Sequence, residues 1–404
     1  MRRKAYTPAR QLGVGDATIG ALEKQFVAEV LDAGRLSYGR FTAEFEQEFA
    51  RLHGCRFAVF CNSGTSALQV ALHALKEREG WADGDEVIVP ALTFVATVNI
   101  VVQNRLTPVF VDVEPDYYAL DPALIEAKIT PRTRAIIPVH VFGQPADMAA
   151  ITALARRHGL RILEDSCEAM FVRYRSRPVG AWGDAGCFST YVAHLLVTGV
   201  GGLMTTNDGD LAVLMRSLIN HGRDGIYLSM DADRTTDPQR LFEIVSRRFA
   251  FIYMGYSYRA TEMEAALGLA QLRRREDIIG AHQRNAAALT AGLEPFAAWL
   301  QLPAIRPGAE HAFMMYPIVI RDDTVSRDEL IRFLEERQIE TRYMLPLLNQ
   351  PIYRRLFGDL EPAYPVARAI NARGFYVGCH QGFTQEDLEY ILETFEGFFR
   401  DRRR

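Results

Sequence analysis

The chain has 404 residues, of which 49% are hydrophobic and 24% are charged, so a disordered or collagen-like chain is excluded. The formal net charge is -4 and the basic residues are dispersed apart from the two ends, so no nucleic-acid partner is predicted. The length favours one large α/β domain followed by a smaller one, which together can bury a substantial core.

Cysteine spacing and hydropathy predict the compartment. The five cysteines form neither a CxxC pair nor a disulfide-rich pattern, which favours a reducing environment. The longest uncharged apolar stretch, about 191–204, is too short and too rich in glycine to span a bilayer. We therefore expect a cytoplasmic protein without a membrane segment.

No histidine has metal-ligand spacing from Asp, Glu or Cys, so no metal site is predicted.

The first part of the chain alternates between strand and helix patterns. Two amphipathic helices, over 16–33 and 40–52, come first and could reach a partner subunit. Strands are then predicted at 57–60, 86–90, 107–112, 135–140 and 161–165, with helices such as 65–76 and 148–158. Because the strands are continuous apolar runs, they indicate a mostly parallel sheet in a three-layer α/β sandwich.

A second set of elements follows near residue 273. Near 273–277 the pattern becomes that of one long helix. Ser326 and Thr384 each begin a capping box that opens a later helix. We therefore assign residues 1–270 to a large domain with N-terminal helices. Residues 271–404 are assigned to a smaller C-terminal α+β domain.

Two places in the large domain predict ligand contacts. In the turn 62–68 a strand ends and a helix begins, so backbone N–H groups and hydroxyls of Gly64, Thr65 and Ser66 form a candidate phosphate site. Asp165 ends a strand at the sheet edge where open α/β sheets bind ligands, and its carboxylate could pair with a protonated ring nitrogen. Helix capping without any ligand is the alternative for both places.

The segment 183–202 carries a family resemblance. It contains Gly183-Asp184, Phe188-Ser189, His194 and a Gly-x-Gly-Gly motif at 199–202, and it resembles the nucleotide-sugar aminotransferases of the DegT/StrS group. Further matching motifs cover nearly the whole chain, at 63–68, 93–97, 164–165, 220–223 and 255–268. The resemblance implies an aspartate-aminotransferase-like fold (PLP fold type I), pyridoxal or pyridoxamine 5′-phosphate (PLP or PMP) as cofactor, and a homodimer.

The resemblance also implies roles for individual residues. By position, Gly64, Thr65, Ser66 and Ser189 contact the cofactor phosphate, Phe94 stacks on the pyridine ring, and Asp165 holds the ring nitrogen. Glu168 falls where the family usually has Gln near the phenolic oxygen. Asn220 would reach the phosphate of the neighbouring subunit's site. His221 and Arg259 are candidate substrate contacts, although each could equally be a structural group.

His194 stands where the family has its cofactor-binding lysine. An imidazole cannot form a stable imine with the cofactor aldehyde, so the resemblance implies a non-covalently bound cofactor. Histidine titrates near neutrality and can still move protons at the cofactor and the substrate. Lysine itself occurs only at positions 4, 24, 76 and 128. The alternative is that His194 is a packed residue of an inactive enzyme.

The same substitution is found in the PMP-dependent 3-dehydratases of nucleotide-linked 4-keto-6-deoxyhexoses, which the chain also resembles at 374–378. That branch implies removal of the C3 hydroxyl with release of ammonia, and regeneration of PMP by an amino acid such as glutamate. Cys379 is the one cysteine in the C-terminal half, so the iron–sulfur variant of this chemistry is disfavoured. A histidine-based aminotransferase and a non-catalytic cofactor- or sugar-binding regulator are the alternatives.

Overall fold

The computed structural model describes residues 6–226, 228 and 234–400. The helices in these ranges are α1 (Ala21–Ala33), α2 (Arg40–Leu52), α3 (Gly64–Glu79), α4 (Val95–Gln103), α5 (Met148–His158), α6 (Gly209–Ile219), α7 (Pro238–Arg247), α8 (Glu262–Arg273), α9 (Arg275–Leu293), α10 (Arg327–Glu335), α11 (Pro351–Phe357), α12 (Pro365–Arg373) and α13 (Gln385–Phe399). The strands are β1 (Phe57–Cys61), β2 (Glu86–Pro90), β3 (Thr107–Val111), β4 (Thr133–Ile136), β5 (Arg161–Asp165), β6 (Arg173–Tyr174), β7 (Arg177–Pro178), β8 (Ala185–Ser189), β9 (Gly202–Thr206), β10 (Leu300–Gln301), β11 (Tyr316–Ile320), β12 (Thr341–Tyr343) and β13 (Gly374–Val377).

The central sheet is mostly parallel, which confirms the predicted α/β class. Within the described residues it has seven strands in the order β1-β9-β8-β5-β4-β2-β3. Neighbouring strands from β3 to β8 pair in parallel, whereas β9 is antiparallel to both β8 and β1. Every residue of β2, β8 and β9 is buried, as expected for strands covered by helices.

A second, smaller sheet lies in the C-terminal part of the chain. Its strands are all antiparallel in the order β10-β11-β13-β12. Phe375 on β13 and Phe395 on α13 belong to a separate hydrophobic core, which also contains Leu12. Leu12 exchanges backbone hydrogen bonds with Gln338 and Glu340. The segment before α1 therefore packs onto the C-terminal part, while the boundary at 270/271 stays a prediction.

Several element boundaries differ from the prediction. The first helix begins at Ala21 rather than at residue 16, because Glu23 caps the backbone N–H of Gly20. The long helix expected near 273–277 is present as α9, which begins at Arg275. Helix α8 before it is separate, because the backbone leaves helical geometry at Arg274. The strand expected over 135–140 ends at Ile136, shortly before Pro138, which has no N–H for a ladder bond.

The fold brings the candidate residues to one edge of the central sheet. Asp165 ends β5 and Ser189 ends β8, and these two strands are parallel neighbours, so both residues lie at the same edge.

In the described part of the chain, no helix has the length and apolar character needed to cross a bilayer.

Candidate active site

The first turn of α3, with Gly64, Thr65 and Ser66, forms the predicted phosphate site, which we call the anion cradle. Ser63 is extended and caps the helix, because its hydroxyl oxygen accepts the N–H of Ser66 at 3.0 Å. The Ser63 hydroxyl also donates to the Ser66 hydroxyl at 2.9 Å, and Thr65 is exposed to solvent. The N–H groups of a helical first turn have no partner inside the helix and carry the positive end of its dipole. This turn can therefore bind a phosphate.

Gly64 is required because Ser189 lies against it. A methyl group at Gly64 would lie 2.6 Å from Cβ of Ser189 and 2.9 Å from Sγ of Cys167. The Ser189 side chain is thus brought to the cradle at the N-terminus of α3. Gly202 makes a similar close approach, since a Cβ there would collide with the carbonyl group of Ser63. This contact explains the last glycine of the Gly-x-Gly-Gly motif.

We expect Gly64→Ala to weaken binding of PLP by at least tenfold, because Ser189 or the turn must shift to admit the methyl group. A fluorescence titration with PLP measures this. Gly209→Ala is the matched control: Gly209 is likewise the first residue of a helix, but its Cβ would meet Phe57 at an ordinary 3.6 Å. Equal affinity of the two variants for PLP would contradict the close-approach argument.

Asp165 is buried at the end of β5 with its carboxylate held from two sides. One oxygen accepts the hydroxyl of Thr97 at 2.7 Å, and the other accepts the N–H of Cys167 at 3.2 Å. Burial raises the pKa of this carboxyl, while these two hydrogen bonds oppose the rise. A protonated ring nitrogen placed against Asp165 would stabilise the ionised form. Sequence reasoning missed Thr97, since no local pattern links it to a residue 68 positions away.

Glu168 is a second carboxylate in this region. Its Oε2 accepts the backbone N–H of Phe142 at 2.7 Å. Burial raises the pKa of Glu168 to about 7, the charge of Asp165 adds to the rise, and the Phe142 hydrogen bond opposes it. Phe142 itself adopts a left-handed backbone with φ of 57°, an unfavourable conformation for a bulky residue. Because its pKa is about 7, Glu168 gains or loses its charge near neutral pH.

We expect Glu168→Gln to stabilise the protein at pH 8 but not at pH 4.5. The pKa of Glu168 rises from 4.5 to about 7 on folding. The protonated Glu168 carboxyl is favoured by folding, so its contribution to stability is complete below pH 4.5 and is lost as the pH rises through 7. Glutamine keeps an oxygen for the Phe142 N–H and carries no charge, so the gain at pH 8 is about 3 kcal/mol at most.

Chemical denaturation at both pH values measures this difference. The control is Glu276→Gln, at a side chain that is 84% exposed, which should show no comparable dependence on pH. A Glu168→Gln variant that is less stable than the natural protein at pH 8 would show that the buried charge is itself stabilising.

His194 lies on the loop after β8, close to the cradle. Its Nδ1 is 3.4 Å from the Ser189 hydroxyl oxygen, and its ring meets the Tyr191 ring edge-on. Burial lowers the pKa of His194 to about 4, so the imidazole is neutral at physiological pH. A neutral imidazole can accept a proton, which is what a general base requires.

Phe94 is the residue predicted to stack on the pyridine ring. It stands at the N-cap of α4 and is 58% exposed, which is unusual for a phenylalanine at the edge of a buried sheet. Thr97, which holds Asp165, lies in the first turn of the same helix. The exposed aromatic face is thus close in sequence and structure to the carboxylate that would hold a pyridine nitrogen.

Asn220, His221 and Arg259 form a cluster of their own. The Arg259 guanidinium donates to the Asn220 side-chain oxygen at 3.0 Å and lies 3.3 Å from Nε2 of His221. Backbone hydrogen bonds of Tyr258 connect this cluster to Asn62, which precedes the cradle. Among the described residues, no hydrogen bond joins the cluster to Asp165 or His194.

The described lysines do not supply a covalent cofactor site. The Lys76 ammonium donates to Asp83 and to the carbonyl of Asn104, about 18 Å along α3 from the cradle. Lys24 is exposed on α1, and Lys128 lies over the Tyr364 ring. Across the described ranges, no group of three or more His, Cys, Asp and Glu residues could hold a metal ion.

The residues fit a pyridoxal-type cofactor. The cradle that a Cβ at Gly64 would fill suits the phosphate, buried Asp165 suits a ring nitrogen, and exposed Phe94 suits the ring face. The sequence profile of the DegT/DnrJ/EryC1/StrS aminotransferase family matches residues 17–396.

Individual relatives agree with this match. The chain is 36% identical to the GDP-perosamine synthase of Caulobacter vibrioides, over 96% of this chain and 98% of that protein. It is 33% identical to the dTDP-4-dehydro-2,6-dideoxy-D-glucose 3-dehydratase of Saccharopolyspora spinosa, over 97% of this chain and 87% of that one. The fold matches the E. coli GDP-4-keto-6-deoxy-D-mannose-3-dehydratase solved with bound hydrated PLP, at a TM-score of 0.83, 24% identity, and coverage of 95% and 99%. The chain therefore belongs to the DegT/DnrJ/EryC1/StrS aminotransferase family, whose cofactor is PLP or PMP.

Proposed function

We propose that the protein removes the C3 hydroxyl of a nucleotide-linked 4-keto-6-deoxyhexose, with glutamate as the donor that regenerates PMP. The observation that carries this proposal is His194, a neutral imidazole beside the cradle. The family resemblance puts the lysine of the family at this position. The 3-dehydratase of Saccharopolyspora spinosa, similar over nearly the whole chain, supports it.

Each site residue has a part in this chemistry. Bound PMP supplies the amine that condenses with the C4 ketone and a ring that withdraws electrons. Asp165 would keep the ring nitrogen protonated, and Glu168 would face the phenolic oxygen. His194 would accept the proton released at the C4′ carbon and pass it to the C3 hydroxyl, which leaves as water. No described lysine lies beside His194 to displace the sugar nitrogen, so water would release that nitrogen as ammonia and leave a 3-deoxy-4-keto sugar.

Nitrogen-15-labelled glutamate tests the proposal. The protein is incubated with PLP, labelled glutamate and a panel of nucleotide-linked 4-keto-6-deoxyhexoses, and the products are analysed by mass spectrometry. We expect a sugar with one oxygen fewer and the label in ammonia. The label in the sugar would show the aminotransferase alternative, which the similarity to a GDP-perosamine synthase favours. Neither product would identify a non-catalytic binder.

We also propose that the working unit is a homodimer, because an apolar face adjoins the site. Phe249 and Met254 are 77% and 86% exposed, more than a solvated surface usually tolerates in one patch. The same segment is fixed to the Asn220 loop, since the Ile252 N–H donates to the carbonyl of Gly222 at 2.7 Å. A second copy covering this face would lie next to Asn220.

Light scattering tests the dimer. We expect the natural protein to have the mass of two chains, and Phe249→Asp with Met254→Asp to have the mass of one. Val213→Asp is the control, since Val213 is 46% exposed on α6, outside the apolar segment. A single-chain mass for the natural protein would exclude the dimer.

The expected compartment is the cytoplasm. We propose this compartment because the spacing of the five cysteines favours a reducing environment.

A further inference from the structure

Ser189 lies between the anion cradle and the base. It is a buried residue whose Cβ packs against Gly64 at the first turn of α3. Its hydroxyl oxygen is 3.4 Å from Nδ1 of His194. One hydroxyl group therefore adjoins both the place where a phosphate would bind and the imidazole that would move a proton.

A serine hydroxyl has a single hydrogen to donate and two lone pairs to accept with. One lone pair faces the backbone N–H of Tyr191, which is 3.4 Å away. The dianionic phosphate ester of the cofactor has only acceptor atoms, so with it in the cradle the Ser189 hydrogen must point toward it. The contact with His194 can then persist only if Nδ1 carries the hydrogen and donates to the serine oxygen.

The position of the hydrogen on His194 decides which nitrogen can act as a base. A neutral imidazole carries one hydrogen, on Nδ1 or on Nε2. With the cradle empty, the Ser189 hydroxyl is free to donate to Nδ1, which favours the form protonated on Nε2. With phosphate present, the hydrogen moves to Nδ1, and the lone pair of Nε2 becomes the basic site. Burial keeps the pKa of His194 at about 4, so both forms are neutral over the physiological range.

We propose that Ser189 is a positioning residue that couples phosphate binding to the tautomer of His194, so that an occupied cradle leaves Nε2 as the base. This inference rests on the proposed role of His194 as the base. The occupant is the phosphate group of the cofactor. The inorganic phosphate dianion likewise presents three unprotonated acceptor oxygens, beside its one hydroxyl.

Nuclear magnetic resonance of protein labelled with nitrogen-15 at histidine measures the tautomer without turnover. The His194 signals are assigned by their loss in His194→Gln. On saturation with PMP, we expect the ratio of Nδ1–H to Nε2–H forms to rise roughly two- to tenfold, the effect of one hydrogen bond. Inorganic phosphate should shift the ratio in the same direction. An unchanged ratio at saturating PMP would overturn the proposal.

Three variants separate tautomer control from simple loss of affinity. Ser189→Ala should abolish the change in ratio even when saturated with PMP, and Ser189→Thr should restore it because threonine keeps the hydroxyl. Thr65→Ala also removes a candidate phosphate ligand, but at saturation it should keep the change in ratio. The same change in Ser189→Ala as in the natural protein would overturn the proposal.

If Ser189→Ala does not fold, the natural protein with and without PMP still decides the question. The result is also separable from the proposed function. A phosphate-dependent tautomer in a protein that makes no deoxysugar would overturn the dehydratase assignment and leave the coupling intact.

Discussion

His194→Lys is expected to convert the protein into one that holds PLP covalently, with a visible absorption band that the natural protein lacks. The side chain at this position lies beside the cradle and close to Ser189, so a primary amine there would meet the cofactor aldehyde. The variant should also lose C3 dehydration by at least a hundredfold, since the loss of a positioned base costs about that much. Absorption spectra and product analysis measure the two effects.

The control for this variant is His158→Lys. His158 contacts Glu126 at the C-terminal end of α5, and a lysine there can also contact Glu126 while adding an amine remote from the site edge of the sheet. Only the His194 variant should acquire the band. If both variants or neither acquired it, His194 would not adjoin the cofactor aldehyde.

Asp165→Asn is expected to lower turnover by roughly a hundred- to a thousandfold, the usual loss when a fixed electrostatic contact to the reacting system is removed. The asparagine oxygen can accept the N–H of Cys167, while its NH2 group donates to the Thr97 hydroxyl, which can turn to donate to Thr93. Local geometry should therefore persist. What is lost is the negative charge that keeps the ring nitrogen protonated. Since burial raises the pKa of Asp165, removing this charge should not lower the stability of the protein without cofactor.

Glu164→Gln provides the matched comparison on the same strand. The Glu164 carboxylate is fully buried and accepts hydrogen bonds from the His140 ring and from three backbone N–H groups, of Gly180, Trp182 and Gly183. The amide has one acceptor oxygen instead of two, so this variant should be less stable by about 1–3 kcal/mol. Thermal unfolding and steady-state kinetics, run on both variants, should give opposite patterns. Equal loss of turnover in both would remove the special role of Asp165.

Elements with clear local signals could be predicted from the sequence. Helix α5 has the predicted bounds because Asp147 caps its first turn and Gly159, with φ of 65°, ends it. Helix α2 also begins and ends where predicted. The break at Arg274 has no such signal, and both Arg274 and Gln271 bond to Glu23, which is distant in the chain.

The same distinction applies to the site. The motifs around Ser63, Asp165 and Ser189 indicated that these residues meet at one sheet edge, because strand ends and helix starts can be read locally. The groups that donate hydrogen bonds to the Asp165 and Glu168 carboxylates could not be read from the local sequence. Thr97 and Phe142 reach Asp165 and Glu168 only through the packing of separate elements.

Borohydride reduction of the natural protein loaded with PLP, followed by denaturation and intact mass spectrometry, tests the central claim that an imidazole replaces the tethering amine. We expect the protein mass to be unchanged and the cofactor to be recovered free. A protein that gains one pyridoxyl group on any of its four lysines would contradict the account.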